Sequence, residues 1–244
     1  MLNQRRFEEP PMAIGEKKQV VVLKLDCSGS MSYDDKIRKL NEAVNKMLEK
    51  CRADDLVSKN VEFIIIIYNS DAEVIQPAAP AAKCMNVSLT ASGETNARAA
   101  HFLSMKEVTK RSKVHESLGC TTYTPLVFDF TDGVPFINGH RQIMLDTELD
   151  IRKAVNENKA RFFAFGVEGA DFDALEKLYG EDYVFELENY DFEGIFDWMF
   201  KTVRAITRTS PGEDIEVEAL PDTVLDAEER QEKKRKKLMG LFNS

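Results

Sequence analysis

Short hydrophobic runs alternate along the chain with longer segments in which apolar residues recur every three or four positions. The runs have the length of strands and cover residues 20–25, 61–68, 124–130 and 161–167. Nearly continuous hydrophobicity is typical of strands that are covered on both faces, as in a parallel sheet between helices. Two shorter segments, 72–77 and 183–187, are interpreted as an edge strand after a tight turn and as a last strand.

Helical patterns separate these runs. Between residues 37 and 51 apolar residues keep helical spacing, and Ser32 with Asp35 resembles a capping box at the start of that helix. Three further segments show helical patterns: 145–156, 171–179 and 192–206. The alternation of strand and helix predicts an α/β fold, a doubly wound, Rossmann-like, mostly parallel sheet flanked by helices, with one antiparallel edge strand.

Two charged residues interrupt the hydrophobic runs. Lys24 and Asp129 fall inside strands that are predicted to be central, where aliphatic residues are expected. An unpaired charge in a protein interior is very costly. We therefore predict that the two residues lie on neighbouring strands and pair with each other.

The composition fits one large domain with a tail. The chain has 244 residues, of which 43% are hydrophobic, and this length is ample for a sizeable core. Its formal net charge of -9 argues against a general nucleic-acid surface, because phosphate binding needs a basic face. No apolar stretch reaches about 18 residues and none follows the basic N-terminal residues, so neither a membrane span nor a secretory signal is expected. The four cysteines form no CxxC pair, and we expect free thiols and a cytoplasmic protein.

The ends of the predicted strands carry oxygen-bearing side chains. Three of these follow the first run at alternate positions, a threonine precedes a helical segment, and an aspartate follows the 124–130 run: Asp26, Ser28, Ser30, Thr95 and Asp132. In doubly wound folds the carboxyl ends of the strands meet at one edge of the sheet, so we expect these residues to converge there. All five offer hard oxygen donors, which favour Mg²⁺ and, after it, Mn²⁺ or Ca²⁺. Two carboxylates and three hydroxyls leave one position of the ion open for a partner's carboxylate.

The motifs DCSGS, GET and TDG, in this chain order, resemble the metal-ion-dependent adhesion site (MIDAS) of the von Willebrand factor A (VWA) domain family. The resemblance covers about residues 18–207. It leaves an N-terminal extension (1–17) and a linker followed by a charged, helical or disordered tail (208–244). It implies that the five residues form the shell of a metal ion, and that a Glu or Asp of a protein partner fills the open position.

Within this family, the chain resembles the short bacterial proteins of the tellurium-resistance TerY type, in segments that include LNEAVNKML, YNSDAEVIQP and FFAFGVEGADFDALEKL. That group implies a stress-response system in which the chain acts beside a Ser/Thr kinase and a PP2C-like phosphatase. The resemblance thus implies a protein-binding module, and we expect no enzymatic activity and no contact with nucleic acid or membrane. One departure from the family pattern is that Asn96, Ala97 and Arg98 follow Thr95, where Leu and small residues are usual.

Other functions remain possible at the level of sequence. A metal-dependent phosphohydrolase would use the ion to polarise a phosphoryl oxygen. However, Ser28 stands where aspartyl-phosphatases have a second carboxylate, and the chain contains neither a GxxxxGK[ST] loop nor a GxGxxG fingerprint. A purely structural subunit would bind its partner without metal. Cys27 is interpreted as a packed side chain and not as a nucleophile. The acidic segment 168–193 and the basic run 233–237 are interpreted as solvated surfaces or, alternatively, as partner contacts.

Overall fold

The hydrophobic runs of the sequence form the strands of an eight-stranded sheet. A computed structural model describes residues 16–133, 141–209 and 218–242. The strands are β1 (Lys17–Asp26), β2 (Val61–Tyr68), β3 (Ala72–Pro80), β4 (Thr121–Thr122), β5 (Leu126–Thr131), β6 (Arg161–Gly166), β7 (Val184–Leu187) and β8 (Val224–Leu225). The α-helices are α1 (Lys36–Ala53), α2 (Val57–Asn60), α3 (Ala97–Ser117), α4 (Arg141–Asn156), α5 (Phe172–Tyr179), α6 (Phe192–Arg208) and α7 (Ala227–Phe242).

The strand order is β3-β2-β1-β5-β6-β7-β8, and the short β4 pairs with the start of β1. The five strands from β2 to β7 in this order are parallel, whereas β3 and β8 join the two edges antiparallel. This arrangement confirms the predicted doubly wound sheet with an antiparallel edge strand, and β8 adds a second, very short one. Because β1 has β2 on one side and β5 on the other, the strand order reverses at β1. Folds of this kind bind ligands at the carboxyl end of such a strand.

The side chains of β1 point alternately into two apolar layers, one on each face of the sheet. Val21, Leu23 and Leu25 face the layer that α1 and α6 cover, while Val20 and Val22 face the layer beneath α3, α4 and α5. The apolar stripes that predicted α1 and α6 are buried in the first layer, which confirms both helices. Both faces of the central strands are therefore covered, as their continuous hydrophobicity requires.

Lys24 and Asp129 are register partners on β1 and β5, and both are buried. Nζ of Lys24 lies 2.7 Å from Oδ2 of Asp129 and 2.9 Å from the hydroxyl oxygen of Tyr179. The hydroxyl of Tyr68 donates to Oδ1 of Asp129 at 2.7 Å. The predicted pairing is confirmed, and two tyrosine hydroxyls complete it. We call these four residues the interior cluster.

The first helix begins later than the sequence indicates. α1 starts at Lys36, because residues Gly29–Asp35 form a 3-10 turn in which Asp34 and Asp35 have left-handed φ angles of 53° and 64°. The hydroxyl of Ser32 donates to the carbonyl oxygen of Gly29 at 2.7 Å and does not cap the helix. The turn brings the first residue of α1 close to the carboxyl edge of the sheet.

The basic C-terminal helix packs against part of the acidic segment 168–193. Arg230 of α7 is buried and pairs with Glu176. Lys233 pairs with Glu186 at 2.6 Å. Part of the acidic segment is therefore neutralised by the chain itself.

Some predictions fall where the structure gives no description. Only residues 16 and 17 of the predicted N-terminal extension are described, and residues 210–217 of the predicted linker lie outside the described ranges. Among the described residues, every helix is too short or too polar to span a bilayer.

Candidate metal centre

Backbone hydrogen bonds hold the loop after β1 against the loop that precedes α3. The N–H of Gly29 donates to the carbonyl oxygen of Gly93 at 2.9 Å, and the N–H of Ser92 donates to that of Cys27 at 2.8 Å. Gly93 has a φ of 77°, and a Cβ at this position would lie 2.6 Å from Oγ of Ser70. Glycine is therefore required at 93 both by the backbone angle and by the close approach.

Asp26 ends β1, and its carboxylate is buried. Its Oδ1 accepts the backbone N–H of Ser28 at 2.8 Å, and its Oδ2 accepts the hydroxyl of Thr131 at 2.6 Å. Burial raises the pKa of this carboxyl to about 6, although the hydrogen bonds from Ser28 and Thr131 act to lower it. Each carboxylate oxygen can accept more than one bond, so both retain capacity for a further ligand.

Asp132 follows β5 and is buried as well. Its Oδ1 accepts the hydroxyl of Ser30 at 2.6 Å, and Oγ of Ser30 lies 3.1 Å from Oγ of Ser28. The charge of Asp132 also raises the pKa of Asp26, because two like charges lie near each other. The alternate positions after β1 thus connect Asp26 to Asp132 through the backbone N–H of Ser28 and the hydroxyls of Ser28 and Ser30.

Thr95 borders the same space. A Cβ added to Gly133 would lie 3.0 Å from Oγ1 of Thr95 and 3.6 Å from Oδ2 of Asp26. The absence of a side chain at 133 therefore leaves room between the threonine hydroxyl and the carboxylate. Asn96, which departs from the family pattern, caps α3 by accepting the N–H of Ala99 at 3.1 Å. The structure thus brings all five predicted residues together.

The chemistry of these donors fits a hard divalent cation. The predicted ligands are carboxylate and hydroxyl oxygens, which Mg²⁺ prefers over nitrogen or sulfur. Within the described ranges, no group of three or more His, Cys, Asp or Glu side chains is placed to hold a metal. When bound, an ion would be held by Asp26, Ser28, Ser30, Thr95 and Asp132, and it would supply a positive charge open to a further oxygen ligand.

Lys36 belongs to the site, although the sequence did not predict it. Nζ of Lys36 lies 2.6 Å from Oδ2 of Asp132, and the residue is only 6% exposed. The same Nζ lies 5.7 Å from the centre of the Tyr190 ring. The contact between Lys36 and Asp132 joins residues 96 positions apart and depends on the 3-10 turn before α1, which no spacing rule revealed.

Thr131 is a second residue that sequence reasoning missed. Its hydroxyl donates to Asp26 and accepts the N–H of Gly133 at 3.1 Å, so it orients both the carboxylate and the loop after β5. A signal was present, because Thr131 begins the TDG motif at the end of the strand that lies beside β1.

Cys27 and the described histidines take no part in this arrangement. Cys27 is buried, and burial raises the pKa of its thiol to about 12, so it stays protonated. His101 and His115 are buried on α3. Nε2 of His115 lies 2.9 Å from Oε2 of Glu62, on β2. The third histidine, at position 140, lies outside the described residues.

Sheet order, helix layers and the place of the site together define the class: the chain has the von Willebrand factor A fold. Solved structures that it resembles include von Willebrand factor type A from Catenulispora acidiphila, with a TM-score of 0.55 and 15% identity over 78% of this chain and 43% of that chain. The pilus adhesin SpaC from Lactobacillus rhamnosus GG has a TM-score of 0.64 and 14% identity over 80% of this chain and 32% of that chain. At these identities the likeness shows the fold.

A third similar structure contains a bound metal ion. Proximal thread matrix protein 1 from the mussel byssus, with a zinc-occupied MIDAS motif, has a TM-score of 0.52 and 15% identity over 78% of this chain and 47% of that chain. The chain thus spans about a third to a half of the length of these proteins. No family model matches the chain, and no curated protein matches its sequence.

Proposed function

We propose that the chain is a metal-dependent protein-binding module that captures an acidic residue of a partner through Mg²⁺. The observation that supports this function is the convergence of two buried carboxylates and three hydroxyls at the carboxyl edge of the sheet. Because hydroxyl ligands are neutral, an ion held there keeps much of its positive charge. A carboxylate from a partner would therefore gain a strong attraction in a partly buried place.

The surface beside the site suits contact with a protein. Tyr33 lies in the same Gly29–Asp35 turn as Ser30 and is 69% exposed. Tyrosine is enriched among the residues that contribute most to protein interfaces. Tyr33 is therefore accessible to a partner on the turn that also carries Ser30.

The proposed setting is a cytoplasmic stress-response system of the tellurium-resistance type, as the resemblance of the sequence implies. A Ser/Thr kinase or a PP2C-like phosphatase is the proposed partner, and no enzymatic activity is assigned to the chain itself. The zinc-occupied MIDAS of the mussel protein supports a divalent ion at a site of this kind. Proteins encoded beside the gene are the first candidates to test.

The experiment is a binding assay between the full chain and a purified candidate kinase or phosphatase, in Mg²⁺ and in EDTA. Asp26→Asn removes one predicted ligand charge with little change in size. Asp55→Asn makes the same change at an exposed residue in the turn before α2. We expect binding in Mg²⁺ for the wild type and for Asp55→Asn, and loss of binding in EDTA or with Asp26→Asn.

Hydrolysis of p-nitrophenyl phosphate is measured on the same samples. Metal-dependent turnover that disappears with Asp26→Asn would contradict the proposal and favour a phosphohydrolase. Partner binding that is insensitive to EDTA would favour a structural subunit instead.

A further inference from the structure

Lys36 is held at the metal site by its surroundings. Its ammonium group pairs with Asp132, and the two side chains are 8% and 0% exposed. The Tyr190 ring lies beside it, and the Tyr190 hydroxyl donates to Glu168 at 3.2 Å and to Asp34 at 3.4 Å. Tyr190 therefore links the loops around the site and limits where the lysine can go.

The position is an unfavourable one for a lysine. Lys36 is the first residue of α1, and the N-terminus of a helix carries partial positive charge that repels cations. Burial of an ammonium group adds a desolvation cost unless a carboxylate compensates for it. The compensating carboxylate is Asp132, which is also a predicted ligand of the ion. Lysine and ion thus compete for the same negative charge.

The net charge of the site determines how strongly it attracts a divalent ion. Asp26 and Asp132 contribute two negative charges, and Lys36 cancels one of them. A divalent ion entering this site meets a net charge of one negative, with the ammonium group included, so it binds more weakly than in a site with the two carboxylates alone. A carboxylate from a partner restores the missing charge and can be approached by both the ion and the ammonium group.

We propose that Lys36 acts as a tethered cation that weakens Mg²⁺ binding in the absence of a partner and so makes the ion and the acidic group bind cooperatively. This inference rests on the proposed function, because it concerns the same site. Coupling of two ligands is reciprocal, so the carboxylate strengthens Mg²⁺ binding by the same factor by which Mg²⁺ strengthens binding of the carboxylate.

The test is calorimetric titration of the full chain with MgCl₂, first in chloride buffer and then with sodium acetate as the carboxylate probe. Lys36→Met removes the charge at the site. Lys39→Met is the matched control, because Lys39 lies on the same helix, 4.8 Å from the centre of the same Tyr190 ring. We expect Lys36→Met to bind Mg²⁺ at least about tenfold more tightly in chloride, and Lys39→Met to change the affinity by less than about threefold.

Acetate provides the second readout. It should tighten Mg²⁺ binding in the wild type more than in Lys36→Met, since the variant site with its ion has less net positive charge. Lys36→Gln, which keeps a hydrogen-bond donor for Asp132, should shift the affinity in the same direction as Lys36→Met. Circular dichroism establishes that each variant is folded.

The outcomes separate this inference from the proposed function. If the wild type binds Mg²⁺ and both Lys36 variants bind it equally or more weakly, the role of Lys36 is wrong and the metal site stands. If neither the wild type nor any Lys36 variant binds Mg²⁺, both proposals are wrong.

Discussion

Two polar clusters lie on the same pair of neighbouring strands, β1 and β5. The charges of the first cluster are compensated within the cluster, whereas those of the second are compensated only in part. In the interior cluster, the ammonium group of Lys24 meets Asp129, and two tyrosine hydroxyls bond the remaining oxygen positions. At the strand ends, Asp26 and Asp132 accept hydrogen bonds mostly from neutral hydroxyl and amide groups. Within the described structure, Lys36 carries the single ammonium group that pairs with this second cluster.

The difference shows that the position of a charged side chain along a strand decides its role. Charged side chains in the middle of the strand contribute to stability, and those at its carboxyl end are available for binding. Side chains in the middle of a central strand face helices, so their charges must be compensated within the chain. Side chains at the carboxyl end face loops, where a ligand from solvent can supply the missing charge. The raised pKa of Asp26 reflects burial of a carboxyl that its own chain compensates incompletely.

Asp129→Asn tests the interior half of this comparison and has the largest expected effect. It leaves the buried ammonium group of Lys24 without a charged partner, and breaking such a pair costs about 3–5 kcal/mol. Urea denaturation at neutral pH should show this loss in the free energy of unfolding. A loss below about 1 kcal/mol, which is the typical loss for a point mutation, would contradict the role given to the pair.

Glu62→Gln extends the test to a second buried carboxylate. Burial acts to raise the pKa of Glu62, but hydrogen bonds from Arg111 and His115 outweigh it and lower the pKa to about 2. A lowered pKa stabilises the fold above the unfolded value of 4.5, and this contribution is lost as pH falls from 4.5 to about 2. The difference in unfolding free energy between wild type and Glu62→Gln should therefore shrink by about 3 kcal/mol between pH 5 and pH 2. A difference independent of pH would show that the ion pair is not formed.

His101→Phe tests the buried imidazole of His101, which we expect to be neutral in the folded chain. Burial lowers the pKa of His101 to about 3, and the charge of Lys24 lowers it further. Its Nδ1 has no hydrogen-bond partner among the described residues. A lowered histidine pKa makes the fold lose stability as pH falls below 6.5, because only the unfolded chain takes up the proton.

Between pH 7 and pH 5 this uptake costs the wild type about 2 kcal/mol that the Phe variant does not lose. Denaturation curves at the two pH values measure the effect. Equal losses in both proteins would mean that His101 is protonated in the fold.

Asp26→Asn is the counterpart of Asp129→Asn at the strand end and has the smallest expected effect. In EDTA the free energy of unfolding should change by no more than about 1 kcal/mol, because the amide oxygen can still accept the N–H of Ser28 and no buried cation loses its partner. A loss as large as that of Asp129→Asn would remove the contrast between the two clusters.

The sequence predicted the parts of the molecule that follow local rules. Continuous apolar runs gave the central strands, and two isolated charges in those runs were enough to predict the Lys24–Asp129 pair. The five oxygen donors were found from their spacing after strands, and the structure places them together. Their role as metal ligands stays a prediction.

The rest depended on contacts that spacing does not encode. The start of α1 was misplaced because Asp34 and Asp35 take left-handed angles, which Asp tolerates better than most residues but which the helical spacing of the apolar residues did not indicate. For the same reason the approach of Lys36 to Asp132 was not foreseen. The basic run near the C-terminus was interpreted without its partner, Glu186, which lies 47 residues earlier in the chain.

The central claim is that the strand-end cluster binds a divalent ion in the folded chain. Its most direct measurement is the free energy of unfolding of the wild type and Asp26→Asn, with Mg²⁺ and with EDTA. A ligand that binds only the folded state at a hundredfold excess over its dissociation constant stabilises by about 2.7 kcal/mol. The account predicts this gain for the wild type and little or none for Asp26→Asn. Equal stability of the wild type in Mg²⁺ and EDTA, or an equal gain in both proteins, would contradict it.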